Sequence, residues 1–125
     1  MTPGIFLLLC LAGGLGAGAR FVVDGLIRSR VTSSFPWPTA IINMSGSLVL
    51  GILTGLVLSR IASTDVSAVI GTGFLGGYTT FSTASYEAVQ LVREKKYGIA
   101  FAYSIGVLVV CVALAYLGYR WGASL

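Results

Sequence analysis

Two stretches of this chain, residues 39–58 and 99–118, hold no charged residue. Each is about as long as a helix must be to cross the hydrocarbon of a bilayer. Lipid offers no water to backbone N–H and C=O groups, so such a stretch must close its own hydrogen bonds as a helix. Residues 5–26 form a third span, with Arg20 and Asp24 toward its end. With 125 residues largely committed to spans, the chain has room for one domain, residues 1–125. The predicted fold class is an all-α membrane protein of four transmembrane helices.

The fourth span, residues 66–92, is long enough but interrupted. It contains GTGFLGGYTTFSTASYE, residues 71–87, where Gly76-Gly77 is followed closely by Thr79-Thr80. Glycine frees the backbone and the helix is predicted to break between Gly76 and Thr80, restarting through Phe81, Ser82 and Thr83. A break at membrane depth survives only where the freed backbone lines a cavity or finds a partner, and its carbonyls are ready ligands for a cation. Glu87 follows and is expected to reach the opposite interface. In the second span Asn43 shares one helical face with Ser47, Leu50 and Thr54. A polar amide at that depth is either packing glue between helices or part of a polar pathway.

Residue types then remove whole classes of function. There is no His, no nucleophile–base pairing and no cluster of Cys, Asp and Glu fit for a metal, which excludes an enzyme. The net charge of +4 sits at segment ends, without the soluble basic stripe that nucleic acid requires. Arg28, Arg30, Arg93, Lys95 and Lys96 mark one side of the membrane and Arg60 and Arg120 the other, a slight excess that favours both termini outside and leaves insertion in both orientations open. The first segment lacks the basic start of a cleaved leader and is expected to be retained. Cys10 and Cys111 are read as small buried hydrophobes, not a disulfide. Short connections predict that consecutive helices are antiparallel neighbours. Gly14 and Gly18, Gly51 and Gly55, and Gly118 and Gly122, with Gly13 and Ala17 alongside, mark expected contact faces. Trp37, Tyr97, Tyr119 and Trp121 fall where an aromatic belt would lie. The run AGGLGAGAR opens no βαβ unit and is not a dinucleotide fingerprint.

What remains is a polar inventory without a fixed charge in mid-span. Neutral donors from Asn, Ser and Thr solvate an anion without trapping it, and a Phe ring presents a positive edge. A Lys or Arg in mid-pore would hold an anion too tightly for rapid passage. A small anion suits this set better than a cation. Arg20 has three open roles: snorkelling to the interface, pairing with Asp24, or lending positive potential to a vestibule mouth.

Three stretches, GGLGAGARF, TAIINMSGS and GFLGGYTTFSTASYE, resemble segments of the Fluc/CrcB fluoride channels, and the resemblance extends over the whole length. It implies a passive channel in the bacterial plasma membrane that exports fluoride, built as an antiparallel, dual-topology dimer. It also implies a structural sodium ion held by backbone carbonyls of the break from both subunits, here Gly76 and Thr79. The implied fluoride pathway comprises Asn43, Phe81 and Tyr103, with Thr80 and Ser82 as neighbouring hydroxyls and Arg20 at the mouth. The chain departs from the family pattern at Ala84, where a second Phe is usual, and at Val107 and Cys111, where serines are usual. Those departures and the charge excess leave room for a paired homologous subunit in place of a second copy. A proton-coupled small multidrug antiporter is the rival from another class; it needs a carboxylate in the first span, and residues 5–23 contain none.

Overall fold

The computed structural model describes all of residues 1–125, and the chain is helical without a strand. Helix α1, Pro3–Arg28, starts where Thr2 Oγ1 accepts the Ile5 N–H at 3.2 Å and Pro3 supplies a preset φ. Helix α2, Trp37–Leu58, also has a proline, Pro38, in its first turn but no side-chain cap. The third span comes in two pieces. Helix α3 covers residues 64–78 and contains Thr64–Ser67, a wide π-wound stretch Ala68–Leu75, and Gly76–Tyr78. After the break comes α4, Ser82–Arg93. Helix α5, Tyr97–Ser124, has a second π-wound turn at Ala102–Gly106. Helices α1, α2 and α5 are each long and apolar enough to cross a membrane, with mean hydropathies of 2.0, 2.0 and 2.4. With α3 and α4 together as the fourth, the four-helix expectation holds.

Only 18 of 125 residues are buried, so packing is concentrated along narrow seams while most apolar side chains face outward, as lipid allows. One seam joins α1 to α3. A Cβ at Gly16 would strike the Phe74 carbonyl and one at Gly77 the Gly13 carbonyl, so these backbones touch only because no side chain intervenes. The other joins α2 to α5, with Gly51 against Ala115, Gly55 against Tyr119 and Gly122, and Gly118 against Leu48 and Ile52. In both seams contacts advance in the same direction along the two helices, so the tightest pairs are parallel and non-consecutive. The expectation that consecutive helices are antiparallel neighbours concerned other pairs and said nothing of these seams. Short connections force neighbours in sequence to run antiparallel, but small residues decide which helices approach closely.

Several expectations are corrected in detail. Gly51, Gly55, Gly118 and Gly122 are contact faces as predicted, whereas Gly14 and Gly18 have nothing within 4 Å and face outward. Cys111 is half-buried, but Cys10 is exposed on the outer surface of α1; both are free thiols. Trp37, Tyr97 and Trp121 are exposed, as belt residues should be. The break lies within the predicted stretch from Gly76 to Thr80, at its far end. Gly76 keeps helical dihedrals of −62° and −37°, and the chain turns extended at Thr79, with φ −81° and ψ 163°. Gly77 serves close approach to α1, not chain reversal.

Candidate functional site

The break is held open by side chains that take over the helix's own hydrogen bonds. Asn43 Nδ2 donates to the Thr80 carbonyl at 2.8 Å, and Asn43 Oδ1 accepts the Thr80 N–H at 2.9 Å. One amide thereby satisfies both polar groups of one peptide residue, as a neighbouring strand would. Thr80 Oγ1 accepts the Thr83 N–H at 3.1 Å and caps the start of α4. The Thr80 and Thr83 N–H groups are those that a continuous helix would send to the Gly76 and Thr79 carbonyls. Asn43 and the Thr80 hydroxyl divert them, so the break leaves both carbonyls without their helical donor. Thr79 Oγ1 turns back to the Leu75 carbonyl at 2.9 Å, and Tyr78 OH meets Ser45 Oγ at 3.0 Å, tying the last turn of α3 to α2.

A groove of about 330 Å³ runs along this junction, lined by Asn43, Ser47, Gly76, Thr79, Thr80 and Phe81 among others, with Leu50 and Cys111 on its apolar wall. The predicted face of α2 therefore enters it through Asn43, Ser47 and Leu50, while Thr54 bonds back to the Leu50 carbonyl. Phe81 stands at the rim, 87% exposed. Thr80 also lines a second cavity of about 210 Å³, shared with Arg20, Asp24, Thr39 and Thr83. Arg20 makes no ion pair, because Asp24 binds Arg28 Nε at 2.9 Å instead. Of its open roles, pairing with Asp24 is thus removed.

Six of the eight predicted site residues, Asn43, Gly76, Thr79, Thr80, Phe81 and Arg20, meet at these two cavities, joined through Thr80. Ser82 stands beside them, its Oγ 3.4 Å from Thr80 Oγ1. Tyr103 is elsewhere. It is 2% exposed, packs edge-on against Phe35 with ring centroids 5.4 Å apart, and lines neither cavity. Ala84 packs against the small core of Ala40, Leu91, Ala100 and Tyr103, so no ring projects where a second Phe would. Val107 lies on an apolar cleft away from the groove, whereas Cys111 lines the groove.

Sequence reasoning missed one constellation. Glu87 lies toward the Arg28 end of the bundle, but its carboxylate turns inward. Its Oε1 accepts from Thr39 Oγ1 at 2.5 Å and from Tyr103 OH at 3.4 Å, with Arg28 Nη2 3.8 Å from Oε2. Nothing in local spacing marks a contact between residues 48 positions apart. The Thr80 cap of α4 was not singled out either, although a threonine just before a helix restart is a candidate cap.

Against known proteins, residues 7–119 match the family described as CrcB-like protein, Camphor Resistance (CrcB). A protein of Leifsonia xyli subsp. xyli named fluoride-specific ion channel FluC 1 is 49% identical over 122 residues, covering 98% of this chain and 89% of that protein. A Thermus thermophilus protein named fluoride-specific ion channel FluC is 37% identical, covering 96% of each chain. A third, fluoride-specific ion channel FluC 2 of Cutibacterium acnes, is 41% identical over 92% of this chain and 94% of its own length. Matches of this extent leave no part of the four-span bundle unaccounted for, and the chain belongs to the CrcB family.

Proposed function

We propose that this protein is a fluoride channel of the bacterial plasma membrane that lets cytoplasmic fluoride leave passively and so confers fluoride resistance. The observation that carries the reading is the groove of uncharged donors and carbonyl-rich backbone at the break, in a chain whose full-length relatives bear the name of fluoride-specific channels. HF crosses lipid as a neutral acid and ionises inside; a leak specific for the anion lowers that load. Hydroxyls and the edge of Phe81 replace part of the hydration shell, and no fixed cation in the groove traps the ion.

The working unit in this reading is an antiparallel dimer. Its support is physical: one copy offers a groove open along its side, a fully exposed ring at the rim, and outward Gly14 and Gly18 on α1. The partner is a second copy in inverted orientation; a homologous subunit of opposite charge bias is the alternative. The Gly76 and Thr79 carbonyls, deprived of their helical donors, fit a sodium ion, which takes neutral oxygen ligands. When bound, such an ion would neutralise the carbonyl dipoles and fasten the two breaks together.

Efflux from liposomes loaded with fluoride tests the function. Fluoride release without proton coupling is expected; drug-driven proton flux would replace this reading with an antiporter, and no flux of either kind would leave a scaffold. Cysteine labelling from each side of the membrane tests orientation, and labelling from one side only would favour the paired subunit.

A further inference from the structure

The Glu87 carboxylate is an odd neighbour for an anion pathway. Its side chain is only 17% exposed, yet it carries a charge of the same sign as the proposed cargo. Its position gives the reason. Glu87 and Arg28 line an outer cavity of about 390 Å³ at the end of the bundle formed by the α1–α2 loop, while Thr39 and Asp24 line the inner cavity that reaches Arg20 and Thr80. The two cavities are separated by two pairs that cross between them: Glu87 with Thr39, and Arg28 with Asp24. In each, a carboxylate holds a donor that an entering anion would otherwise use. Glu87 holds two hydroxyls at once, those of Thr39 and Tyr103.

Resting on the fluoride-channel reading, we propose that the Glu87 carboxylate is a tethered stand-in for the permeant anion. It occupies the Thr39 and Tyr103 hydroxyls between the outer and inner cavities, and fluoride enters by displacing it from them. The chemistry of the exchange is balanced: one hydrogen-bond-accepting anion leaves the two O–H donors and another arrives, with no proton transferred. The displaced carboxylate moves toward the Arg28 guanidinium, already 3.8 Å away, which compensates its charge in the outer cavity. This arrangement keeps the donors satisfied when no fluoride is present, since an unpaired buried hydroxyl is costly. It also sets a threshold, because only an anion that binds hydroxyls at least as well as a carboxylate can enter. The same logic brings Tyr103 into the pathway although it lines neither the groove nor the inner cavity.

The test measures fluoride current against fluoride concentration for the full chain in planar bilayers. A carboxylate competing for the site raises the concentration needed to fill it. Glu87→Gln keeps the shape, removes the charge and is expected to lower the half-saturating fluoride concentration about fivefold, which corresponds to about 1 kcal/mol of relieved competition. Should the glutamine variant fail to assemble, Glu87→Asp retains the charge but withdraws it by one methylene, and the half-saturating concentration falls in the same direction. A purely structural Glu87 would reduce maximal current and leave half-saturation where it was, and that result overturns the proposal while the channel reading stands. A wild-type chain that passes no fluoride overturns both.

Discussion

Replacing Asn43 isolates the hydrogen bonding on which the break depends. Thr80 is 8% exposed, and both of its backbone polar groups are satisfied by the Asn43 amide at 2.8 and 2.9 Å. Asn43→Ala leaves a buried N–H and a buried C=O without partners, at about 1–3 kcal/mol each. The chain can recover part of that by returning the Thr80 N–H to the Gly76 carbonyl, which closes the break into a helix. Taking about 2 kcal/mol as the shift, the open arrangement falls in population by a factor of roughly 30. Fluoride efflux from liposomes should drop accordingly, and the Thr80 amide should change its hydrogen-exchange protection. Asn43→Asp separates two explanations. A carboxylate still accepts the Thr80 N–H but cannot donate to the Thr80 carbonyl, and it sets oxygen against oxygen. If Asn43 acts only as an ion ligand, Asp blocks flux by charge while Thr80 exchange stays as in the wild type; if it splints the break, flux and protection change together. An Asn43→Ala protein with wild-type efflux and wild-type Thr80 exchange would refute the splint.

Other outcomes follow from the same structure. Phe81→Ile keeps an apolar side chain but removes the positive ring edge, and efflux should fall severalfold; normal throughput would remove the ring from the pathway. Gly16→Val drives a branched side chain into the Phe74 carbonyl, costing at least about 1–3 kcal/mol and shown as loss of the monodisperse peak on size exclusion, whereas Gly14→Ala meets nothing within 4 Å and leaves the chain's fold unchanged. Arg60 and Lys95 close helix ends with φ of 64° and 62°, so Arg60→Gly or Lys95→Gly should each raise thermal stability by about 1 kcal/mol at the membrane surface. On the sodium reading, the unfolding midpoint of the purified protein rises with sodium and not with an equal concentration of a bulky organic cation; equal midpoints in both would remove the ion.

How much of this was legible depended on the range of the interaction. The spans could be read because apolar length alone determines them in lipid, and the seam between α2 and α5 because Gly51, Gly55, Gly118 and Gly122 recur at helical spacing. Partner choice could not be read: a small-residue stripe says that a face packs, not against which helix, and Gly14 and Gly18 carry the same spacing yet face outward. The break falls at the far end of the predicted stretch from Gly76 to Thr80 for a related reason. Gly76-Gly77 reads as a weak point, but Gly77 is needed for contact with Gly13, and the actual departure is imposed from α2 by Asn43. Glu87 was missed as a site residue because its partners lie on other helices, where no spacing rule reaches.

The break then has a common chemical logic on both its sides. A continuous helix balances each carbonyl with an N–H four residues on. Here two side-chain acceptors, Asn43 Oδ1 and Thr80 Oγ1, capture two N–H groups, so the local count of unpaired groups moves toward carbonyl oxygen. Excess carbonyl oxygen favours a cation, and that demand falls at Gly76 and Thr79. The hydroxyls that remain, Ser82 and Thr83 beside Thr80, carry protons that an anion can use. On the sodium and fluoride readings, both ion preferences would arise from one redistribution of hydrogen bonds within four residues, without a formal charge in the groove. A fixed charge would satisfy one ion and repel or trap the other. This explains why Asp24, Arg28 and Glu87 pair with one another between the inner and outer cavities, while the groove at the break is lined by neutral atoms alone.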